Sequence, residues 1–341
     1  MTSPQYAAAG VDLDAAEDAK ARIGRLVAGA RTSLSAGAVG AFGGMVRIPA
    51  GMRKPLLVMS TDGVGTKVLV ALQAGRFDTV GEDLVNHSVN DILVHGARPI
   101  AFMDYVAGHR LPAEMIAGIV EGIARGCRNH DMALAGGETA QMPGLYAAGT
   151  FDLAGTIIGV VEEDEALHGH AIVPGDVLIA YASTGLHTNG YTLARHVLFE
   201  TMGLTLTSPL PGSNVTVADA LLAVHQSYVG AIGPVVGLIH GMAHITGGGI
   251  AGNLIRVLPE TCSATIDAAS WQWPPLFRAI SDGGNVSLDE MRDVFNLGAG
   301  MIAAVPRGDV ERVQSAARAA GVETWRCGVV GTGAHQVRFK D

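Results

Sequence analysis

Four glycine-rich loops, each at the end of an apolar run, set the terms for this chain: STDGVGTK at 60–67, GGETAQMPG at 136–144, STGLHTNG at 183–190 and HITGGG at 244–249. Three of them lead from a strand-like run into helix-like periodicity. Such a junction turns free backbone N–H groups and the positive end of a helix dipole toward anions. Glycine clustered in this way, within a total of 46 in 341 residues, points to tight turns beside ligands rather than to linkers.

The runs around the loops alternate in period. PLLVMS, PIAFMDYVA, ALAGG and TFDLAGTIIGVV read as strands, while TKVLVALQA, DLVNHSVNDILVHG and AEMIAGIVEGIARGCRNH space their apolar residues as helices do. Turn residues and charge gather at EEDEALHGHAIVPGD, 162–176. Beyond it come the strand DVLIAYAS, the helix YTLARHVLFE, the strand MAHIT, a helix at 250–257, the strand GMIAAV, the helix DVERVQSAARAA and closing strands at TWRCGVV and HQVRF. The expected organisation is an arm over 1–54 with one helix near 14–29, a domain over 55–165 and a second over 170–341. Without strict alternation, two mixed domains of α+β class follow.

Composition narrows the function. The net charge is −9 with no Lys/Arg-rich run, which leaves no basic face for nucleic acid. Residues 228–255 hold no Asp, Glu, Lys or Arg, but Pro234, several glycines, His240 and His244 interrupt them. A buried helix followed by a strand is expected there, not a membrane span. Cys127, Cys262 and Cys327 form no CxxC pair and the first residues carry no secretory pattern, so a cytoplasmic setting is expected.

STDGVGTK is not a Walker A loop, because Thr66 precedes Lys67 and Val68 follows it. Taken alone, it reads first as a strand-to-helix turn capped by Asp62. A carboxylate there also suits an anion that arrives with Mg²⁺, since that ion joins one or two carboxylates to substrate phosphates. Asp83, His87, Asp91 and His95, spaced by four, stack on one helix face, where Asp83 and His95 read as an ordinary Asp–His ladder. Asn90 and Asp91, in an otherwise apolar helix, suit a buried polar role. Asp62 and Asp91 together with Lys67 can then hold a Mg–nucleotide.

GGETAQMPG offers Glu138 and Thr139 beside Gly137, and reads equally as a plain β-turn. In STGLHTNG, Ser183, Thr184, Thr188 and Asn189 supply neutral polar groups, and Gly185 and Gly190 permit close approach. His187, with a reference pKa of roughly 6.5, can move a proton. Gly247, Gly248 and Gly249 form a second junction fit for a phosphate. No GxSxG, HExxH or zinc spacing occurs.

In this order, STDGVGTK, DLVNHSVNDILVHGARPIAFMDY, GGETAQMPG, STGLHTNGYTLAR, HITGGG and MRDVFNLGAGM resemble the phosphoribosylformylglycinamidine cyclo-ligase (aminoimidazole ribonucleotide synthetase) family, over nearly the whole chain. DGVGTK and VND are shared with a wider superfamily of ATP-using enzymes; STGLHTNGY, FNLGAGM and His244 are more particular. The resemblance implies a PurM-like fold whose N-terminal domain pairs its sheet in a homodimer. It implies ATP-dependent ring closure of formylglycinamidine ribonucleotide in purine biosynthesis, with ATP and Mg²⁺ as cofactors and a monovalent cation such as K⁺ left open.

By residue, the resemblance implies Mg²⁺ on Asp62 and Asp91. It sets Gly63, Gly65, Thr66 and Lys67 on the ATP phosphates, with Asn90, Gly137, Glu138 and Thr139 nearby and AGAVGAFGGM as a cover. Ser183, Gly185, His187, Asn189 and Gly247–Gly249 would meet the ribonucleotide, with Lys67, His187 and Asn189 catalytic. Gln141 departs from the family's second acid, and Asn86, His87 and Ser88 from its apolar run, so His87 receives no role. The alternatives are another ATP-dependent kinase or synthetase of the superfamily, or a non-catalytic nucleotide-binding homologue.

Overall fold

The computed structural model describes residues 22–38 and 42–340, which fall into two compact units. The first comprises the residues up to Ile92 with Arg98–Glu162, and the second comprises Leu93–Ala97 with the chain from Glu163 onward. Of the helix expected near 14–29, residues 22–29 are helical and 14–21 lie outside the described residues. Residues 39–41 of the glycine-rich arm lie outside them as well.

In the first unit, strands β1 (Pro55–Gly63), β2 (Arg98–Gly108), β3 (Ala133–Gln141) and β4 (Phe151–Glu162) form a sheet in the order β1-β4-β2-β3. β4 is antiparallel to β1 and β2, whereas β3 is parallel to β2. A parallel pair needs a crossover. Of the helices α1 (Lys67–Ala74), α2 (Asp78–Leu93) and α3 (Ala113–Asn129), the last supplies it. α3 buries Met115, Ile116, Ile119, Val120, Ile123 and Cys127 along one face.

Two helix backbones touch here because neither has a side chain in the way. A Cβ on Gly122 of α3 would collide with the Asp78 carbonyl, and one on Gly81 of α2 with the Ile119 carbonyl. Arg125 then clamps the pair, its Nε 2.7 Å from Glu82 Oε2 and its Nη2 3.1 Å from Asp78 Oδ2. This close approach fixes where α2 presents Asp83, His87, Asn90 and Asp91.

GGETAQ, read as strand end or turn, continues as strand: β3 runs to Gln141 because Gly136–Gln141 pair in register with Met103–Gly108 of β2. The four-residue ladder also differs from expectation. α2 ends at Leu93, so His95 lies past it, and its Nδ1 sits 3.2 Å from the Leu167 carbonyl.

The second unit holds a six-stranded sheet in the order β10-β7-β9-β5-β8-β6. Its strands are β5 (Val177–Ala182), β6 (Gly241–His244), β7 (Cys262–Asp267), β8 (Ala299–Val305), β9 (Thr324–Thr332) and β10 (Gln336–Lys340). β5 and β8 are almost wholly apolar because both faces are covered. Ile179, Tyr181, Met301 and Val305 join one core, while Leu178, Ala180, Ile302 and Ala304 join the other. Each fully buried Ile or Leu contributes about 1.5–3 kcal/mol. The charge-free stretch from Tyr228 forms a short helix at Val229–Ile232, a 3-10 segment at Gly233–Leu238 and then β6, since Pro234 and its glycines break a longer helix. No described helix is long and apolar enough to cross a membrane.

Candidate active site

Along β1 the side chains alternate, and Ser60 and Asp62 point toward α2. There Asp62 and Asp91 both reach His87. His87 Nε2 lies 3.4 Å from Asp62 Oδ1 and 3.4 Å from Asp91 Oδ2. Ser60 Oγ donates to Asp62 Oδ2 at 2.7 Å and reaches Asp91 Oδ2 at 3.4 Å. The carboxylates keep 29 % and 24 % exposure, and His87 only 7 %.

Two carboxylates on different elements, each about a quarter exposed and each reaching His87, are the kind of donor set that suits a hard dication. Burial disfavours the charged imidazole of His87, but its bonds to Asp62 and Asp91 outweigh that and raise its pKa to about 9. Asp62 does not cap α1. Thr66 holds the N-cap position, without a side-chain capping bond, after Gly65 with φ of 55°.

Lys67 runs from the glycine loop into the interior. Its side chain is fully buried, with Nζ 2.7 Å from Asp83 Oδ2, itself fully buried. Burial lowers the Lys67 pKa, and the Asp83 carboxylate opposes this through charge and a hydrogen bond. Asp83 is therefore the partner of Lys67 rather than a rung of a surface ladder. Asn90 is also fully buried.

Gly137, Glu138 and Thr139 line a different feature, a cleft of about 1090 Å³ that also takes in Arg31, Gly43–Val46, Thr61, Tyr105 and Thr156. β1 and β3 are the two edges of the sheet, three strand spacings or about 14 Å apart. The carboxylate pair and the Gly137–Thr139 segment are thus not brought together. Glu138 Oε1 accepts from the Thr139 N–H at 2.9 Å. Gln141 Oε1 accepts from the Leu111 N–H at 3.3 Å, so the residue in place of an acid ties the end of β3 to the loop before α3. Asp104, on β2 in the wall of this cleft, has its pKa pushed up to about 7 by burial.

In the second unit, STGLHTNG folds on itself. Ser183 Oγ donates to the Gly185 carbonyl at 2.9 Å and to Asn296 Oδ1 at 3.1 Å, and Asn296 Nδ2 donates to the same carbonyl. His187 takes a left-handed φ of 60° and is buried, its Nε2 accepting from the Thr184 and Gln226 N–H groups at 3.3 and 3.4 Å. Its ring stacks on His225 with centroids 3.8 Å apart, and His225 Nε2 lies 3.1 Å from His244 Nε2.

These three buried imidazoles are close enough to share an ion. Stacked rings cannot aim both lone pairs at one ion without one of them turning, so the cluster is better suited to passing hydrogen bonds. Asn189 Nδ2 reaches Thr188 Oγ1 at 3.5 Å, and the ideal Cβ position of Gly247 is 3.5 Å from Asn189 Oδ1. Gly248 and Gly249 take φ of 93° and 62° at the start of a helix, Gly249–Leu254.

Comparison with known proteins decides the family. Residues 43–161 match the AIR synthase related protein N-terminal domain, and 173–340 its C-terminal domain. The phosphoribosylformylglycinamidine cyclo-ligase of Trichlorobacter lovleyi is 44 % identical over 97 % of this chain and 96 % of its own length. That of Nitratidesulfovibrio vulgaris is 46 % identical over 96 % and 95 %. The chain belongs to the phosphoribosylformylglycinamidine cyclo-ligase family.

Among solved structures, thiamine-monophosphate kinase from Stenotrophomonas maltophilia aligns with this chain at a TM-score of 0.67 and 17 % identity, over 93 % of this chain and 94 % of that one. E. coli HypE aligns at 0.64 and 17 %, over 94 % and 92 %. These likenesses establish the shared PurM-like fold.

Four further residues touch the candidate site residues: Ser60, His87, Asn296 and His225. Ser60 stands two before Asp62, which on a strand puts both on one face, a signal available in the sequence. His87 was visible at four residues from Asp91, but only the fold brings Asp62 to it. Asn296 and His225 lie outside the glycine loops and are placed by tertiary contacts.

Proposed function

We propose that this protein uses ATP to close the imidazole ring of formylglycinamidine ribonucleotide, giving 5-aminoimidazole ribonucleotide, ADP and phosphate in purine biosynthesis. Family membership supports the reaction class. The observation that carries the residue assignment is the convergence of Asp62 and Asp91 from separate elements of the first unit.

The chemistry sets what the residues must do. The oxygen of the formyl amide is a poor leaving group, so it first takes the γ-phosphoryl group of ATP. The amidine nitrogen then forms a bond to that carbon, the carbon–oxygen bond breaks with phosphate departing, and the nitrogen gives up a proton. Positioning and neutralisation of charge do most of such work. A Mg²⁺ ion held by Asp62 and Asp91 would supply the neutralising charge for the transferred phosphoryl group.

The backbone of Gly63 and Gly65 faces the phosphates in this reading. Thr66 and Lys67 act with it, Lys67 chiefly by fastening the loop to α2 through Asp83. Asn90 belongs to the same wall, and the cleft bounded by Gly137, Glu138 and Thr139 accepts the rest of the nucleotide. In the second unit, Ser183, Gly185, Asn189 and Gly247–Gly249 hold the ribonucleotide. His187 orients it or takes the amidine proton.

We further take the working form to be a homodimer, a reading supported by the exposed Leu57 and Met59 on edge strand β1. A cytoplasmic setting accords with three buried, unbridged cysteines.

The test is an assay of purified protein with ATP, Mg²⁺ and formylglycinamidine ribonucleotide, detecting the diazotisable amine product. Turnover by the wild type and its loss in Asp91→Asn, with folding intact by circular dichroism, is the expected result. ATP hydrolysis without amine, or full turnover by Asp91→Asn, overturns the reading.

A further inference from the structure

His87 is the residue the reaction leaves without a task, yet it occupies the centre of the carboxylate pair. Its Nε2 is 3.4 Å from an oxygen of each acid, and those acids come from β1 and α2. Ligand atoms around a single ion at about 2.1 Å stand roughly 3 Å apart, close to the 3.4 Å between Nε2 and each acid, and the two carboxylates must close toward each other for all three to share it. Ser60 Oγ, at 2.7 Å from Asp62 Oδ2, closes the remaining side of the group. The ring is buried and lies on α2, one turn from Asp91, so its direction is set by the helix rather than by a mobile loop.

We infer that His87 is a third protein ligand at the Asp62–Asp91 dication site, and that its imidazole shifts the site's preference from Mg²⁺ toward Mn²⁺ or Co²⁺. This rests on the reading that Asp62 and Asp91 hold a dication. Mg²⁺ is a hard ion that favours oxygen, whereas imidazole suits later first-row metals, whose affinity for nitrogen rises along the series. A site with two carboxylates alone lacks that bias. Ligation uses the lone pair on Nε2, so a proton carried there passes to solvent as the ion enters.

The experiment titrates the full chain with Mg²⁺, Mn²⁺ and Co²⁺ by calorimetry and records pulsed EPR of bound Mn²⁺. It compares wild type with His87→Met, His87→Gln, Asp91→Asn and a His225→Gln control, each checked for folding by thermal melting. The wild type is expected to show nitrogen coupling to Mn²⁺. Both His87 variants should lose that coupling and at least about tenfold in Co²⁺ and Mn²⁺ affinity, with Mg²⁺ affinity changed by less than about threefold. His225→Gln should keep the signal.

Affinities for all three ions that rise together in the His87 variants would make His87 a competing resident charge and overturn the proposal. So would affinities that do not change, or a nitrogen signal that survives in both His87 variants. If Asp91→Asn binds dications as the wild type does, the carboxylate reading itself fails, and the proposal with it.

Discussion

The ammonium of Lys67 sits 2.7 Å from the carboxylate of Asp83, with both side chains fully removed from solvent. Lys67 opens α1 and Asp83 lies within α2, so the pair ties the glycine loop to the helix that carries Asp91. Removing one partner leaves an uncompensated buried charge, which costs about 3–5 kcal/mol. Lys67→Met and Asp83→Leu are each expected to lose that much in urea denaturation, and the double variant is expected to recover part of it. Should Lys67→Met keep its stability but lose ATP affinity, the ammonium works at the phosphates and not in the fold.

Asp104 makes stability depend on pH. Burial raises its pKa from 3.8 to about 7 in the folded chain, so between these values the folded state binds more protons than the unfolded one. Stability must then fall as pH rises through this window. The contribution is present below the unfolded value and gone above about 7, on the order of 4 kcal/mol at most. Denaturation midpoints at pH 5 and 8 check this. Asp104→Asn should flatten the difference, and an equal difference in the variant assigns it to other groups.

How far the sequence carried the reading depended on whether a feature was local. Asp62 and Asp91 stand out because a carboxylate in an apolar strand–loop or helix needs a chemical reason. The covered sheet of the second unit shows in VLIAYA and AGMIAAV, whose unbroken apolar character only two-sided burial allows. The partner of Lys67 did not show, because it depends on how closely α1 and α2 approach. The length of β3 was hidden for a similar reason: GGETAQ has little strand character of its own and is extended by its parallel register with β2. CSATID alternates with a period of two, and its buried Cys262, Ala264 and Ile266 make it strand β7, a pattern legible in the sequence. His225 belongs to no motif, and only the fold of the second unit brings it to His244.

Gly300 on β8 packs its backbone against Tyr228 and His187 of the histidine cluster. A Cβ there would collide with the Tyr228 hydroxyl and with Cε1 of His187. Tyr228 cannot simply retreat, since it is fully buried and its hydroxyl donates to the Ala182 carbonyl at 2.9 Å. Gly300→Ala is therefore expected to cost about 1–3 kcal/mol by overpacking and to lower turnover more than it lowers ATP affinity. Parallel measurement of the melting temperature, ATP binding and amine formation separates these effects. Unchanged turnover would show that the position of the His187 ring is not critical.

Strand β1 leaves its second edge unpaired among the described strands, and Leu57 and Met59 stand on its face away from α2 with 50 % and 65 % exposure. A nine-residue edge with apolar side chains is a template for pairing with another chain unless something covers it. Only Pro55, at its first position, blunts it. If a second copy covers this face, Met59→Glu places a charge in a desolvated contact and should shift sedimentation from dimer to monomer at micromolar concentration. A wild-type chain that sediments as a monomer, or a Met59→Glu variant that remains dimeric, removes β1 from the interface.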